Sequence, residues 1–245
     1  LKEKLEKDEV WDDDNILYEE LGGIWKLDQL QALGLKKENA CLLQLSFQVI
    51  YNEARKEFID IGWWADVETG EVSVTRNYRP IKALKYVKQE DTVFEAVSIP
   101  MLTYYPGEMN RRIRWEAASY HPITEEELKG IITHAQSSLP ATVKLVKNQI
   151  KNVLSDNFVV LLFAFEQIGT IGDSYVMCDK EGNKIFLKDI PNMEATVHRI
   201  HMLMDVSLLR EQVLLGAFFY DEVEHRICVQ PYSIITDERV VRFLY

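Results

Sequence analysis

Apolar and polar residues alternate along several stretches of the chain, a two-residue period typical of β-strands with one buried face. The pattern is clearest between Leu43 and Tyr51, where every second residue is apolar. Further strands are predicted at Phe58–Asp66, Glu71–Tyr78, Glu95–Tyr105 and Arg111–Ala118, and again from Phe158 onward. We therefore expect two runs of antiparallel strands joined by tight turns.

Helical spacing precedes and separates these runs. Apolar residues predict two short helices between residues 16 and 33, and Thr124 followed by Glu127 forms a capping box at the start of another helix. An amphipathic helix is predicted to begin around Pro140, and a further helical stretch is predicted over Glu194–Arg210.

These elements predict an α+β fold with two β-rich units built from antiparallel hairpins, connected and flanked by amphipathic helices. Successive strands lack the intervening helices that a parallel sheet needs. We place a helical N-terminal segment and the first β unit in residues 1–138, and a helix with the second β unit in residues 139–245.

Three of the predicted hairpins share one pattern at the turn. Asp66, Asp179 and Asp221 each precede an alternating strand, with a charged residue at the fifth position after the aspartate. An aspartate in a turn accepts hydrogen bonds from the backbone N–H groups that follow it. We interpret the three as turn formers; the alternative is that the three carboxylates meet in one site.

Composition and charge exclude several classes of function. The longest apolar run, Phe158–Phe165, has eight residues, whereas a membrane-spanning helix needs about 20, so no membrane partner is expected. The net charge of −11 opposes the neutralisation of phosphates, and nucleic acid is therefore not an expected partner of this stretch alone. Cys41, Cys178 and Cys228 lie far apart and indicate a reducing, cytoplasmic environment.

Signatures of catalysis and metal binding are weak. His198, His201 and Asp205 would share one face of a continuous helix and are the best metal candidates, but a fourth ligand is missing and such spacing is not specific. A half-buried surface helix is the favoured interpretation. The run Asp12–Asp14 lacks the alternation of a calcium-binding loop, and nucleophile and phosphate-loop motifs are absent. We expect no cofactor, and we rank an enzyme third, after a protein-interaction module and a nucleic-acid-associated module.

Aromatic and basic residues form the candidate binding surface. The patch surrounds the Pro106-Gly107 turn and comprises Tyr104, Tyr105, Arg111, Arg112, Arg114 and Trp115. Such residues stack on bases and pair with phosphates, although strand alternation should split the arginines between two faces. Trp63 and Trp64 are adjacent on a strand, so one should belong to the core and the other to a contact surface.

Parts of the chain resemble a known family. Residues 91–96, 102–107 and 112–114 are similar to the G-T-x-x-x-A, Y-P-G-A and L-R-A stretch that follows the finger in bacterial SWIM zinc-finger proteins. Residues 214–234 resemble the closing L-x-G-x-W-D-G-R-x-x-x-P-L-S segment, although Tyr220-Asp221 stands where that segment has Trp-Asp and the loop is longer.

The family's CxC and CxH zinc signature is absent here, so zinc binding is not carried over to any residue. The resemblance implies an accessory, post-finger region of a cytoplasmic bacterial protein with an interaction role, and any finger would precede Leu1. Two hypotheses follow. The first is a noncatalytic protein-interaction or scaffold module whose partner is another protein. The alternative is a nucleic-acid-associated module whose binding finger lies outside this stretch.

Overall fold

Antiparallel β-strands make up most of the chain in the computed structural model, which describes residues 17–152 and 156–245. The first group of strands is β1 (Lys36–Asn52), β2 (Glu57–Asp66), β3 (Val72–Pro80), β4 (Ala96–Tyr104), β5 (Ile113–Arg114) and β6 (Ser119–His121). The second group is β7 (Phe158–Ile171), β8 (Ser174–Cys178), β9 (Lys184–Phe186), β10 (Arg210–Asp221), β11 (Arg226–Ile235) and β12 (Val240–Arg242). The helices of the described ranges are α1 (Leu17–Glu20), α2 (Leu27–Ala32), α3 (Glu125–Thr133), α4 (Leu139–Gln149) and α5 (Val197–Ile200).

The predicted antiparallel hairpins are confirmed. The helices are shorter than the sequence pattern predicts, so the fold is mostly β. The long helix predicted over 194–210 is wrong: only α5 and a 3-10 turn at Val206–Leu209 form there. Asp205 accepts a hydrogen bond from the Ser207 backbone N–H (3.0 Å), and this local bond starts the 3-10 turn in place of a continuing helix. No helix of the described ranges is long and apolar enough to cross a membrane.

The predicted capping box at the start of α3 is confirmed. Thr124 Oγ1 accepts from the Glu127 backbone N–H (3.3 Å), and Glu127 Oε2 accepts from the Thr124 backbone N–H (2.8 Å). Two backbone N–H groups at the start of the helix are thereby satisfied, and the Glu127 carboxylate is held in one orientation.

The first sheet closes on itself. Its strand order is β3-β2-β1-β4-β5, with β6 beside β4, and the long strand β1 pairs with both β2 and β4. A parallel bridge joins Val74 of β3 to Arg112 beside β5, and the Val74 backbone N–H donates to the Arg111 carbonyl (3.0 Å). Because the two edges meet, strands β1–β5 form a five-stranded barrel, barrel 1.

The second sheet repeats this arrangement. Its order is β12-β11-β10-β7-β8-β9, the long strand β7 pairs with β8 and β10, and a parallel bridge joins Leu187 after β9 to Val229 of β11. We call strands β7–β11 barrel 2. In each barrel the first strand pairs with the second and fourth, and the third strand runs parallel to the fifth. This is the topology of the OB-fold, a five-stranded Greek-key barrel.

The barrels pack against each other through an apolar layer. One face of β1 and β2 points into barrel 1 with Leu42 and Trp64, while the other face carries Leu43 and Trp63 toward barrel 2. The Trp63 ring lies 6.1 Å from Phe158 and 6.2 Å from Tyr232, between ring centroids. Leu128 and Ile131 of α3 complete this inter-barrel layer. The predicted domain boundary at residue 138 lies between β6, the last strand of the first sheet, and β7, the first strand of the second. The division into two domains stays a prediction.

Asn110 adds a polar tie between the barrels. Its side chain donates to the carbonyls of Val72 (3.1 Å) and Val160 (2.8 Å) and accepts from the Val160 backbone N–H (2.8 Å). The backbone of Asn110 has φ of 51°, a left-handed conformation that asparagine adopts more readily than most residues. This residue thus links β3 to β7.

The three turn aspartates are confirmed as turn formers in three separate hairpins. The Oδ1 atom of each accepts two backbone hydrogen bonds of 2.9 to 3.2 Å: Asp66 from Glu68 and Thr69, Asp179 from Glu181 and Asn183, and Asp221 from Val223 and Glu224. Asp179 also accepts from the Leu139 backbone N–H (3.0 Å), which joins its turn to the start of α4.

We expect Asp66→Ala and Asp179→Ala each to lower the free energy of unfolding by about 1–3 kcal/mol, because each change removes at least two hydrogen bonds worth about 0.5–1.5 kcal/mol each. Asp179→Ala also frees the buried Leu139 N–H, and Asp66→Ala also removes the ion-pair partner of Lys37. The two losses should add within about 0.5 kcal/mol, as the turns lie in different barrels. Urea titration of both single variants and the double variant measures this, with the exposed Asp173→Ala as control. Coupling above about 1 kcal/mol would contradict independent turns.

Candidate functional site

An open groove of about 1010 Å³ lies at the mouth of barrel 1 and holds most of the predicted aromatic and basic patch. Its lining contains five of the predicted residues: Trp64, Tyr105, Arg112, Arg114 and Trp115. The floor comes from β1, β2 and β3, one wall from residues 86–91 and the other from residues 112–115. We call this feature the barrel-1 groove. Barrel mouths are a common place for binding sites.

The floor of the barrel-1 groove is polar although it lies inside a barrel. Trp64 Nε1 donates to Thr75 Oγ1 (2.9 Å), and Gln44, which is 2% exposed, lies beside them. A Cβ atom on Gly62 would come within 2.8 Å of polar atoms of all three side chains, so glycine is needed for them to converge. Trp115 stands edge-on against Trp64, with 5.2 Å between ring centroids. A buried polar floor is more informative about function than exposed apolar residues are.

A buried ion pair anchors the wall formed by residues 86–91. Asp60 has no exposed surface and pairs with Arg79 through contacts of 2.6 to 2.9 Å. The same carboxylate accepts from Asn77 Nδ2 (3.0 Å) and from the Glu90 backbone N–H (3.0 Å). Farther along, the Val93 N–H donates to Gln44 Oε1 (2.7 Å). The irregular segment between β3 and β4 is thus bonded to the barrel at Glu90 and at Val93, and the Lys88 carbonyl also accepts from Asn77 Nδ2 (3.0 Å).

Two of the four cations that line the groove are paired within the chain. Arg112 stacks on Tyr105, 3.6 Å from the ring centroid, and pairs with Glu19 of α1 (2.6 Å). Arg76 pairs with Asp156 (2.6 Å). Arg114 and Lys88 are exposed and form no ion pair with any described residue.

The pKa of Glu90, on the opposite wall, is shifted by its surroundings. Burial, together with the nearby Asp60 carboxylate, raises the pKa of Glu90, and the positive charge of Arg114 opposes this rise. The groove therefore presents an available arginine across from a carboxyl group that holds its proton more readily than usual.

The remaining predicted binding residues lie elsewhere. Trp63 is 1% exposed in the inter-barrel layer, so it is the tryptophan of the pair that belongs to the core and does not contribute to a binding surface. Arg111 stacks on Tyr104, 3.9 Å from the ring centroid, and pairs with Glu71 (2.8 Å). Arg111 lines a separate cleft of about 450 Å³ where the barrels meet. The predicted split of the arginines between two faces is thus confirmed.

The metal candidates His198, His201 and Asp205 do not form a ligand set in the described structure. The continuous helix that would have aligned them is interrupted after α5. Asp205 caps the following 3-10 turn, and His201 Nδ1 lies 3.4 Å from the Tyr175 hydroxyl. His198, His201 and Asp205 are all exposed, which accords with their interpretation as surface residues.

A different cluster, which the sequence patterns miss, brings together Cys41 of β1, His121 of β6 and Glu127 of α3. Glu127 Oε1 lies 3.3 Å from Cys41 Sγ and 2.7 Å from His121 Nε2, and the three ligand atoms lie within 4.8 Å of one another. The only local sequence signal was the capping box, which explains the position of Glu127 but not its neighbours.

Burial, with the hydrogen bond to Glu127, raises the pKa of the Cys41 thiol to about 12. Burial also tends to raise the pKa of Glu127, but hydrogen bonds from Thr124, His121 and Cys41 outweigh it and hold that pKa below its usual range. The cluster as it stands is a protonated thiol that donates to an ionised carboxylate.

Comparisons with known proteins give little guidance on this chain. No protein-family model matches it, and no curated protein matches it. Solved structures that resemble it include a murine DNA-binding protein bound with double-stranded DNA (9% identity, TM-score 0.30, covering 84% of this chain and 96% of that one). Another, described as "structural mimicry for functional antagonism", has 10% identity and a TM-score of 0.29 and covers 80% and 90% of the two chains. At such scores the resemblances support no argument about function, and the similarity to SWIM proteins stays a prediction.

Removing one partner of the buried ion pair between Asp60 and Arg79 should cost far more than breaking an exposed pair. We expect Asp60→Ala to lower the free energy of unfolding by about 3–5 kcal/mol, because it leaves a buried guanidinium uncompensated. Asp156→Ala, which breaks the partly exposed pair with Arg76, should cost less than about 1 kcal/mol. Urea titration compares the two variants. Equal losses would show that the buried pair does not anchor the groove wall.

Proposed function

We propose that this chain is a noncatalytic protein-interaction module that binds a segment of a partner protein in the barrel-1 groove. The observation that carries the proposal is the exposed Arg114, which has no ion pair among the described residues and stands beside Trp115 in an open, aromatic groove. We further propose a cytoplasmic, bacterial setting, in keeping with the three free cysteines and with the resemblance to SWIM-associated regions.

Residue types around the groove are those that dominate binding energy at protein interfaces. Tyr86 is 88% exposed and Tyr120 is 53% exposed, and both line the groove with Trp115 and Arg114. Tryptophan, tyrosine and arginine are enriched among interface residues whose truncation costs more than 2 kcal/mol. Large aromatic rings left exposed on one face favour a surface that a partner covers.

The shape and chemistry of the groove favour binding over catalysis. A volume of about 1010 Å³ lies at the upper end of small-molecule sites, and the groove opens to solvent, so it has room for a segment of a polypeptide. The described lining residues include no histidine, cysteine or serine. The Ser–His and Cys–His pairings of covalent catalysis are therefore not among the described lining residues.

The charged residues that line the groove indicate which residue types the partner segment should contain. Arg114 and Lys88 are the cations left unpaired among the described lining residues, while Glu90 and Asp91 lie on the wall that carries Lys88. A partner carboxylate facing Arg114 would gain a charge-assisted hydrogen bond without displacing an internal pair. We therefore expect a segment with apolar or aromatic side chains and at least one acidic residue.

The alternative is a nucleic-acid-associated module. Aromatic rings beside arginines at a barrel mouth also suit the stacking of single-stranded bases. Against it stand the net charge of −11, the internal pairing of Arg76 and Arg112, and the two carboxylates on the wall. These features lower the attraction for a phosphate backbone.

Selection of peptides from a random displayed library tests the proposal. The wild-type chain should enrich peptides that combine aromatic and acidic residues. Arg114→Glu and Trp115→Ala should weaken binding of a selected peptide by at least about tenfold, since each removes an anchor of the groove. Isothermal titration measures the affinity.

Two matched variants on barrel 2 serve as controls for this experiment. Arg210→Glu reverses an exposed charge on β10, and Tyr220→Ala removes an exposed ring, so both should bind the peptide like wild type. If Arg114→Glu and Trp115→Ala also bind like wild type while remaining folded, the barrel-1 groove is not the interaction site.

Binding of single- and double-stranded oligonucleotides should be negligible at physiological salt, because few cations are free to neutralise phosphates. Fluorescence anisotropy measures it. Submicromolar binding that weakens steeply with salt and disappears in Arg114→Glu would favour the alternative over the protein-interaction module.

A further inference from the structure

Three side chains from distant parts of the chain converge between barrel 1 and helix α3. Cys41 lies on β1 opposite Ser98 of β4, and His121 lies on β6 opposite Ala96 of the same strand. Glu127 is in the first turn of α3, which packs on this face of the barrel through Leu128. In the described part of the chain this is the one grouping of three metal-ligating side chains.

We propose that Cys41 Sγ, His121 Nε2 and Glu127 Oε1 form a zinc site with a fourth coordination position open to solvent. Thiolate, imidazole and carboxylate are all ligands of zinc, and three protein ligands with one open position are the pattern of accessible zinc sites. Calcium and magnesium prefer oxygen ligands and do not suit a thiol and an imidazole.

The spacing of the donor atoms fits a tetrahedral ion after small adjustments. Zinc–ligand bonds of 2.0–2.3 Å place neighbouring ligand atoms about 3.3–3.7 Å apart. The distance from Cys41 Sγ to Glu127 Oε1 is already 3.3 Å, and the distance from His121 Nε2 to the same oxygen is 2.7 Å. The His121 side chain is 39% exposed, so its ring has room to move outward as the ion enters.

The capping box prepares the carboxylate for this role. Glu127 Oε2 is held by the Thr124 backbone N–H (2.8 Å) and by Thr124 Oγ1 (3.0 Å), which directs Oε1 toward Cys41 and His121. A hydrogen bond that orients a ligand in this way is a regular feature of metal sites. Thr124 is thus a positioning residue and not a ligand.

Local charge is compatible with a divalent cation. Glu127 is joined in this region by the Asp66 carboxylate, whose negative charge acts on Cys41. Lys37 compensates part of that charge, since its ammonium group contacts Asp66 (2.9 Å) and Glu68 (2.8 Å). When the ion binds, the Cys41 S–H bond breaks, the sulfur forms a bond to zinc and the proton passes to the buffer.

The site shares no side chain with the barrel-1 groove. It ties β1, β6 and α3 together, so occupancy should stabilise the packing of α3 on barrel 1. It also differs from the expectation drawn from the sequence, which contains no local zinc signature.

Cobalt(II) titration of the metal-free, reduced chain tests the proposal. The wild-type chain should bind one cobalt ion with a thiolate-to-cobalt charge-transfer band in the near ultraviolet, and zinc should displace it. Zinc should also raise the melting temperature of the wild type, because it binds the folded state. Cys41→Ser should lose both the band and the zinc-dependent rise.

Matched variants separate a lost ligand from a damaged fold. Cys178→Ser removes a partly buried thiol outside the cluster and should retain the band. Glu127→Gln keeps an acceptor for the Thr124 N–H, so the helix cap remains while zinc affinity should fall by at least about tenfold. The proposal is overturned if the wild type shows no charge-transfer band, if the band persists in Cys41→Ser, or if Glu127→Gln binds zinc like wild type.

Discussion

The apolar layer between the barrels is the contact on which the rest of the arrangement depends. Leu43 and Trp63 of barrel 1 meet Val160 and Tyr232 of barrel 2 across it, and α3 closes its side. Strands of an isolated barrel would bury one face and expose the other. Here β2 and β11 are buried on both faces over nearly their whole length, so the two barrels stabilise each other by removing one another's outer apolar surface from water.

That packing decides which surfaces remain available for binding. The strand faces that meet in the inter-barrel layer are occupied, and the open side of barrel 1 is its mouth. The polar floor of Gln44, Trp64 and Thr75 lies there, together with a wall bonded to the buried Asp60–Arg79 pair. A buried ion pair adds little net stability, but separating its two charges is costly, so the pair stays in one geometry. Its consequence in this chain is a wall of defined position beside the exposed Arg114.

The barrel-1 groove and the Cys41–His121–Glu127 cluster place two different chemistries on barrel 1. The groove uses residues that face the barrel interior or its rim, whereas the cluster lies on the face toward α3, because neighbouring strand residues point in opposite directions. Leu42 packs inside the barrel while Cys41 and Leu43 pack on the outside. One strand, β1, therefore contributes to both the proposed binding groove and the proposed zinc site without shared side chains.

Local patterns in the sequence determined most strands, the turn aspartates and the capping box, because each depends on residues within a few positions of one another. Trp63 and Trp64 were expected to lie on opposite faces, and they do, but both are buried: Trp64 packs inside barrel 1, and barrel 2 covers Trp63. The helix expected over 194–210 gave way to a capped 3-10 turn. Only the tertiary structure decided the closure of each barrel, since Val74 meets Arg112 and Leu187 meets Val229 through parallel bridges between segments far apart in the chain. The cluster of Cys41, His121 and Glu127 arises in the same way: strand pairing brings β1 and β6 to either side of β4, and no spacing along the chain encodes a contact that the sheet creates.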